Sequence, residues 1–142
     1  MQIRKNRILA SNNTMQIRYR NLFNCRFNET LYNSLINDKH RMVITRWRLS
    51  CHKLRIKTGR YAIPLLPREQ RLCVLCNTIE DKTHSLFNCM AHNRIRLKYE
   101  NLLTKYSSVN ELLDPKNSND ITLIAKFITE VEENMKKLKM LN

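Results

Sequence analysis

The chain has 142 residues with one glycine and three prolines, and its 26 Lys/Arg against 12 Asp/Glu give a formal net charge of +14. So few turn-forming residues favour helices over a turn-rich sandwich or barrel, and the length suits one domain with one modest core. No run of eighteen or more apolar residues is present, so no transmembrane helix is expected.

The first seven residues, Met1-Gln2-Ile3-Arg4-Lys5-Asn6-Arg7, are basic but lack the apolar run of a secretory signal. Residues 1–13 read as a flexible basic segment and residues 14–142 as one helical domain. The tetrapeptide Met-Gln-Ile-Arg at 1–4 recurs at 15–18, a match too short to define a repeat. A short basic helix is expected over 14–23, with Ile17 and Leu22 inward. Another is expected over 29–36, through Leu31, Tyr32, Leu35 and Ile36.

The clearest early helix spans 39–57, with Asp38 as its N-cap and Gly59, the one glycine, as its left-handed terminator. Val43, Trp47, Ser50 or Cys51, and Leu54 recur at helical spacing and define an inward face. Cys51 is read as core and His52 as surface or groove. Adjacent helical positions point about 100° apart, so the two do not form a nucleophile–base pair. Arg41, Arg46, Arg48, Lys53, Arg55 and Lys57 fill the outer surface, and Arg60 follows. Residues 61–70, with Pro64 and Pro67, form an extended connector tucked partly against the core.

Cys73, Cys76, His84 and Cys89 then read Cys-x2-Cys-x7-His-x4-Cys. Thiolates and an imidazole in a set of four suit one structural zinc ion, held in a knuckle over 68–92 between helices. Asn77 suits the turn that closes the Cys73–Cys76 pair. On a straight α-helix, residues five apart sit roughly 140° apart. His84 therefore belongs on the first turn of a short helix, and Cys89 where that helix kinks or ends. Arg68, Arg71 and Lys82 are near enough in sequence to offset the excess negative charge of three thiolates. Small buried thiols with a capping histidine are the plain alternative, and a disulfide a weaker one. Reduced cysteines on zinc point to the nucleus or cytoplasm.

Downstream, Ile95, Tyr99, Leu102, Leu103 and Tyr106 form an apolar stripe, accompanied by Arg94, Arg96 and Lys98. Residues 114–119 compose a loop. A final helix starts near Asp120 and carries Ile124, Phe127, Ile128, Val131, Met135 and Leu138 at helical spacing. It is expected to supply stability rather than chemistry. The fold class is mainly α.

Charge is distributed unevenly. Residues 1–60 hold 14 Lys/Arg against 2 Asp/Glu, residues 61–100 hold 6 against 4, and residues 101–142 hold 6 against 6. A cationic face of this density attracts phosphate backbones. A solvated helical surface that happens to be basic is the alternative. Lipid is disfavoured, since no segment pairs a basic face with exposed Trp, Phe and Leu. The candidate nucleic-acid contacts are Arg41, Arg46, Arg48, Lys53, Arg55, Lys57 and Arg60. Trp47 and Tyr61 are the nearest aromatics for stacking, and Trp47 is claimed by the core.

The segments 44–54, 58–61, 67–73 and 79–89 (ITRWRLSCHKL, TGRY, PREQRLC and IEDKTHSLFNC) together resemble the zinc-binding region that follows the reverse transcriptase domain of non-long-terminal-repeat retrotransposons. The similarity is weaker over 15–39 and 124–131. It implies zinc ligation by the same four residues and a role in holding template RNA or target DNA beside a reverse transcriptase domain. Relatives often carry proline after the last cysteine, where this chain has Met90. The chain lacks the paired carboxylates of a polymerase, a Gly-rich phosphate loop and a His-Glu-x-x-His motif. Four protein ligands also leave zinc no position for a catalytic water. The expectation is a non-enzymatic module binding RNA or DNA with low sequence specificity. The alternatives are a structural or protein-docking domain and a non-functional remnant of a mobile element. A RING-type ligase is excluded by ligand count, because two zinc ions need about eight ligands.

Overall fold

The computed structural model describes residues 28–33 and 35–141. The segment 1–13, the helix expected over 14–23 and Cys25 lie outside them. The fold is mainly α, with no strand among the described residues. In chain order it comprises α1 (Asp38–Arg48), α2 (Arg55–Thr58), α3 (Asn93–Lys98), α4 (Glu100–Leu103), α5 (Val109–Leu112) and α6 (Ser118–Met140). Between α2 and α3 lie short 3-10 turns and a π-helical turn, His84–Asn88.

The 23-residue α6 is the element onto which the others pack. Its side chains Ile124, Phe127, Ile128, Val131 and Met135 are buried as the sequence periodicity gives; Leu138 is only half-buried, and Ile121 joins the stripe one turn earlier. Asn117 caps it by accepting from the Asn119 N–H, so it begins slightly earlier than expected. α1 lies against α6 with Ile44 and Trp47 fully buried, and α3 and α4 also contact it. Two polar contacts fix the α1 register. The Trp47 Nε1–H donates to Glu132 Oε1 at 2.8 Å, and Arg46 donates to the other oxygen at 3.0 Å.

Several expectations need correction. The described residues of the segment 29–36 form turns, not a helix. Leu31 and Ile36 still reach the core, while Leu35 is exposed. The helix expected over 39–57 stops at Arg48. Its N-cap is Asn37 rather than Asp38. Its end is a Schellman arrangement. Ser50 takes a left-handed φ of 57°, its N–H donates to Trp47 O, and the Cys51 N–H donates to Arg46 O at 2.7 Å. The break reverses the two residues that follow it. Cys51 swings out and is exposed, whereas His52 turns in to 5% exposure with its ring 5.3 Å from that of Trp47.

Gly59 is not a left-handed terminator, since its φ is −62°. Glycine is needed there for space. A Cβ would meet Arg71 Cγ at 2.6 Å. The Arg71 side chain runs over that glycine and donates to Leu66 O and Ile56 O, fastening the connector to α2. The connector is less tucked in than expected, with Ile63 fully exposed and Tyr61 and Leu65 largely so.

Arg48, expected on the outer face, is 1% exposed. It donates to Leu113 O at 2.6 Å and to Asp114 Oδ1 at 3.0 Å, joining the end of α1 to the loop before α6. Burial alone would raise the Asp114 carboxyl, but hydrogen bonds from Lys116, Arg48 and Asn28 outweigh it and hold the carboxyl below its ordinary value. Removing Arg48 leaves Asp114 to Lys116 and Asn28 but takes the partner from the buried Leu113 O, at a cost of about 1–3 kcal/mol, and adds the loss of a fully buried side chain. Arg48→Ala should therefore lower stability to urea by about 3 kcal/mol. A loss under about 1 kcal/mol would mark Arg48 as an ordinary surface arginine.

Candidate metal centre

The four residues of the sequence motif converge. One ligand atom from each of Cys73, Cys76, His84 and Cys89 lies within 4.8 Å of all the others. The Cys73–Cys89 and Cys76–Cys89 sulfurs are each 3.8 Å apart. Metal–sulfur bonds of about 2.3 Å at a tetrahedral angle give sulfur separations of about 3.8 Å, whereas a disulfide needs about 2.05 Å. All three thiols are free.

Local backbone chemistry sets each ligand in place. Cys73 and Cys76 sit on a narrow ribbon closed by the antiparallel bridge Leu72–Ile79. The Cys73 N–H donates to Thr78 O at 2.7 Å, and the Asn77 N–H donates to Cys73 O at 3.1 Å. Asn77 takes the left-handed φ of 53° that the turn requires and that asparagine tolerates. His84 opens the π-turn, its N–H held by Asp81 Oδ1 at 2.8 Å. The Cys89 N–H then closes on His84 O at 2.7 Å, an i→i+5 bond. This widened turn resolves the x4 spacing. An α-turn would splay His84 and Cys89, while the i→i+5 closure brings both to one side. Cys89 itself is extended, with ψ 124°, so the helical run breaks there even though Met90 stands after it.

His84 presents the correct nitrogen. Its Nδ1 is 3.0 Å from Thr78 Oγ1, while Nε2 is buried without a hydrogen-bond partner. With one imidazole nitrogen close to the three sulfurs, a partnerless Nε2 and an Nδ1 held by Thr78 fit a metal-ligating histidine oriented through its second nitrogen. Burial pushes the Cys89 thiol up to about 12, opposed by a backbone hydrogen bond at Ala91 and reinforced by the neighbouring Cys73. The donor set fits a metal ion.

The supporting cation is one the sequence reading placed elsewhere. Arg96 donates to Cys89 O at 2.6 Å and lies within electrostatic reach of Cys89 and Cys76. Burial works against its guanidinium charge, and the two thiolates support it. Arg71, expected in this role, spends its guanidinium on Leu66 O and Ile56 O, and Arg68 is exposed on its 3-10 turn. The signal available in the sequence was an arginine seven residues beyond the last ligand.

The candidate nucleic-acid residues do not form one helical face. Arg48 is buried and out of reach of a ligand arriving from solvent. Arg41 donates to Asn33 O and Ile36 O, and Arg46 is paired with Glu132. Lys53 is exposed, and Arg55, Lys57 and Arg60 are half-buried on and around α2. α2 is tied to the metal ribbon through Glu80, whose carboxylate accepts from the Arg55 N–H at 2.6 Å and whose carbonyl accepts from the Ile56 N–H.

No protein-family model matches this chain, and no curated protein or solved structure is significantly similar to it. Residue chemistry and geometry therefore carry the functional reading.

Cys76→Ser should abolish stoichiometric metal in elemental analysis and loosen 68–92 in hydrogen exchange, while α6 keeps its protection; full metal retention would remove this ligand set. A second prediction concerns His92, 2% exposed, whose Nδ1 lies 3.0 Å from Asn134 Nδ2. Burial, with smaller contributions from Arg96 and His84, lowers its imidazole to about 4. The unfolded chain then binds the extra proton between about pH 6.5 and 4, so stability contributed by neutral His92 is complete above about 6.5 and lost as pH falls towards 4. Over that window wild type should lose more stability to urea than His92→Gln; parallel losses would show that His92 is not the titrating group.

Proposed function

We propose that this chain is a zinc-stabilised helical module that binds RNA or DNA through phosphate contacts, without enzymatic activity of its own. One zinc ion, held by Cys73, Cys76, His84 and Cys89, would serve as a structural cofactor. The single observation that carries the metal half is the convergence of three sulfurs and an orphaned imidazole nitrogen on one point. Such a soft set of three sulfurs and one nitrogen suits zinc, and four protein ligands leave no open position for catalysis.

The nucleic-acid half rests on charge and on its attachment to that site. The chain has a net charge of +14, and residues 53–60 supply Lys53, Arg55, Lys57 and Arg60 on a segment anchored to the ribbon by Glu80. Tyr61, 76% exposed, stands beside them as a platform for a base. Zinc would thereby fix the position of the cationic segment, coupling metal to binding. Phosphate contacts of this kind position a strand without reading its sequence. The resemblance to the zinc-binding region of retrotransposon reverse transcriptases agrees with this role, and implies a reverse transcriptase domain as the partner in that setting. The site would function in the nucleus or cytoplasm. No helix among the described residues is long and apolar enough to cross a membrane.

A docking role has one observation of its own. Tyr61, Ile63, Leu65 and Leu75 are exposed apolar side chains on neighbouring stretches of the connector and ribbon. Charge and its tie to the metal ribbon favour nucleic acid as the first test.

The zinc-loaded protein should bind single-stranded RNA or DNA at micromolar concentration or below at low salt. Log affinity should fall with log salt by about 0.7–0.9 per phosphate neutralised. Changing Lys53, Arg55, Lys57 and Arg60 together to Gln should lower that slope by about 3 units. Chelation should weaken binding as α2 loosens. Absence of binding to any nucleic acid at low salt would leave the docking role as the better reading.

A further inference from the structure

Beside α2 the fold builds a second cationic feature that the sequence does not display. A cleft of about 160 Å³ opens between the end of α1, the 51–54 loop and the last turns of α6. That is several times the roughly 30 Å³ a water molecule occupies in the liquid. Its walls carry Arg46, Lys53, Lys136 and Lys139, four cations from three separate segments. Residues 101–142 are neutral in sum, so their lysines gave no basic signal. Folding separates the charges. Glu130 turns to Lys98 and Tyr99, and both Glu132 oxygens are occupied by Arg46 and Trp47. Lys136 and Lys139 are left facing the cleft.

Lysines near a helix C-terminus complement its dipole, and this accounts for part of their placement. Lys139 is further held by Lys53 O, to which it donates at 3.2 Å. Neither accounts for Lys136, which shares the cleft with Arg46 and Lys53, and gathering like charges costs energy that an anion would relieve. The carboxylates in reach are Glu132, already doubly engaged, and the buried Glu80, 3.6 Å from Lys139 Nζ. Behind them the wall is formed by Trp47 and Leu54, both fully buried, and by His52 at 5% exposure, so little ring surface is open for a base to stack upon. The cationic walls suit a phosphate better than a nucleobase.

We propose that this cleft seats a backbone phosphate of the bound strand, extending the cationic track of residues 53–60 onto the end of α6. The proposal rests on the nucleic-acid reading above. Lys137 supplies the control: it is exposed on the same helix and carries the same charge, but is not among the cleft's lining residues. Lys139 is left intact because it also donates to Lys53 O.

The test uses the full zinc-loaded chain and a labelled single-stranded RNA oligomer, titrated over a range of salt for wild type, Lys136→Gln and Lys137→Gln. Lys136→Gln should reduce the log–log salt slope by about 0.7–0.9, with Lys137→Gln changing it by clearly less. In a Cys25→Ser background, the exposed thiol of Cys51 on the cleft wall reports occupancy. Its alkylation should slow several-fold on saturation with the oligomer, and Lys136→Gln should reduce that protection. Equal slopes for the two lysine variants, or undiminished Cys51 alkylation in the saturated complex, would overturn the cleft while leaving the module reading intact. No binding by wild type would overturn both.

Discussion

From Ala62 to Met90 the chain has almost no core of its own. In this stretch the buried apolar side chains are Leu86 and two of the cysteines, while Ile63, Leu65, Val74 and Leu75 face solvent. Four Cys and His side chains from the ribbon and the π-turn meet there, and the zinc proposed above would supply the missing cohesion. Structural zinc sites in peptides contribute roughly 10–16 kcal/mol at neutral pH, much of it coupled to folding. A few buried aliphatic side chains at about 1.5–3 kcal/mol each would not replace that. The polar contacts around the site, between Thr78 Oγ1 and His84 Nδ1 and from Arg96 to Cys89 O, have value because they set the side chains in advance.

The remainder of the fold is conventional in its energetics and depends on α6. Its apolar stripe is covered by α1 on one side and by α3 and α4 elsewhere, and charged groups at its margins fix the register. Glu132 receives Trp47 and Arg46, Glu130 receives Tyr99 and Lys98, and Asp120 receives Tyr106 and Lys105. Each carboxylate binds one aromatic donor and one cation. Three acidic residues of the C-terminal third thus go into packing, while Lys136 and Lys137 near the end of α6 stay exposed.

Much of this was legible in the sequence, and the failures have physical causes. The ligand quartet, the α6 stripe, the burial of Trp47 and the turn at Asn77 followed from spacing and residue type. The length of α1 did not, because its left-handed terminator is Ser50, and the lone glycine at 59 drew attention away from it. That error propagated. A helix continued past Ser50 would put Cys51 in the core and His52 outside, and the real break does the reverse. Arg48 looked like one more cation on a basic helix, since its partners Leu113 O and Asp114 are some 65 residues away. The π-turn was anticipated only as a need for His84 and Cys89 to escape α-helical geometry. Spacing cannot specify which distortion meets that need.

The separation of contacts along the chain also orders events during synthesis. The metal ribbon closes over a short loop, with Cys73 and Cys89 sixteen positions apart. The α1–α6 contacts at Glu132 join residues 85 and 86 positions apart. Short loops close at small entropic cost, and distant contacts wait for the chain to be made. As the polypeptide leaves the ribosome, the ribbon and π-turn can close, and would take up the proposed zinc, before α6 is made for Trp47 to pack against. The Cys/His cluster is thus a candidate folding seed available before the core exists. An interruption of translation between residues 92 and 118 would release a chain with its knuckle formed and its tryptophan uncovered, a species for chaperones and proteases to recognise.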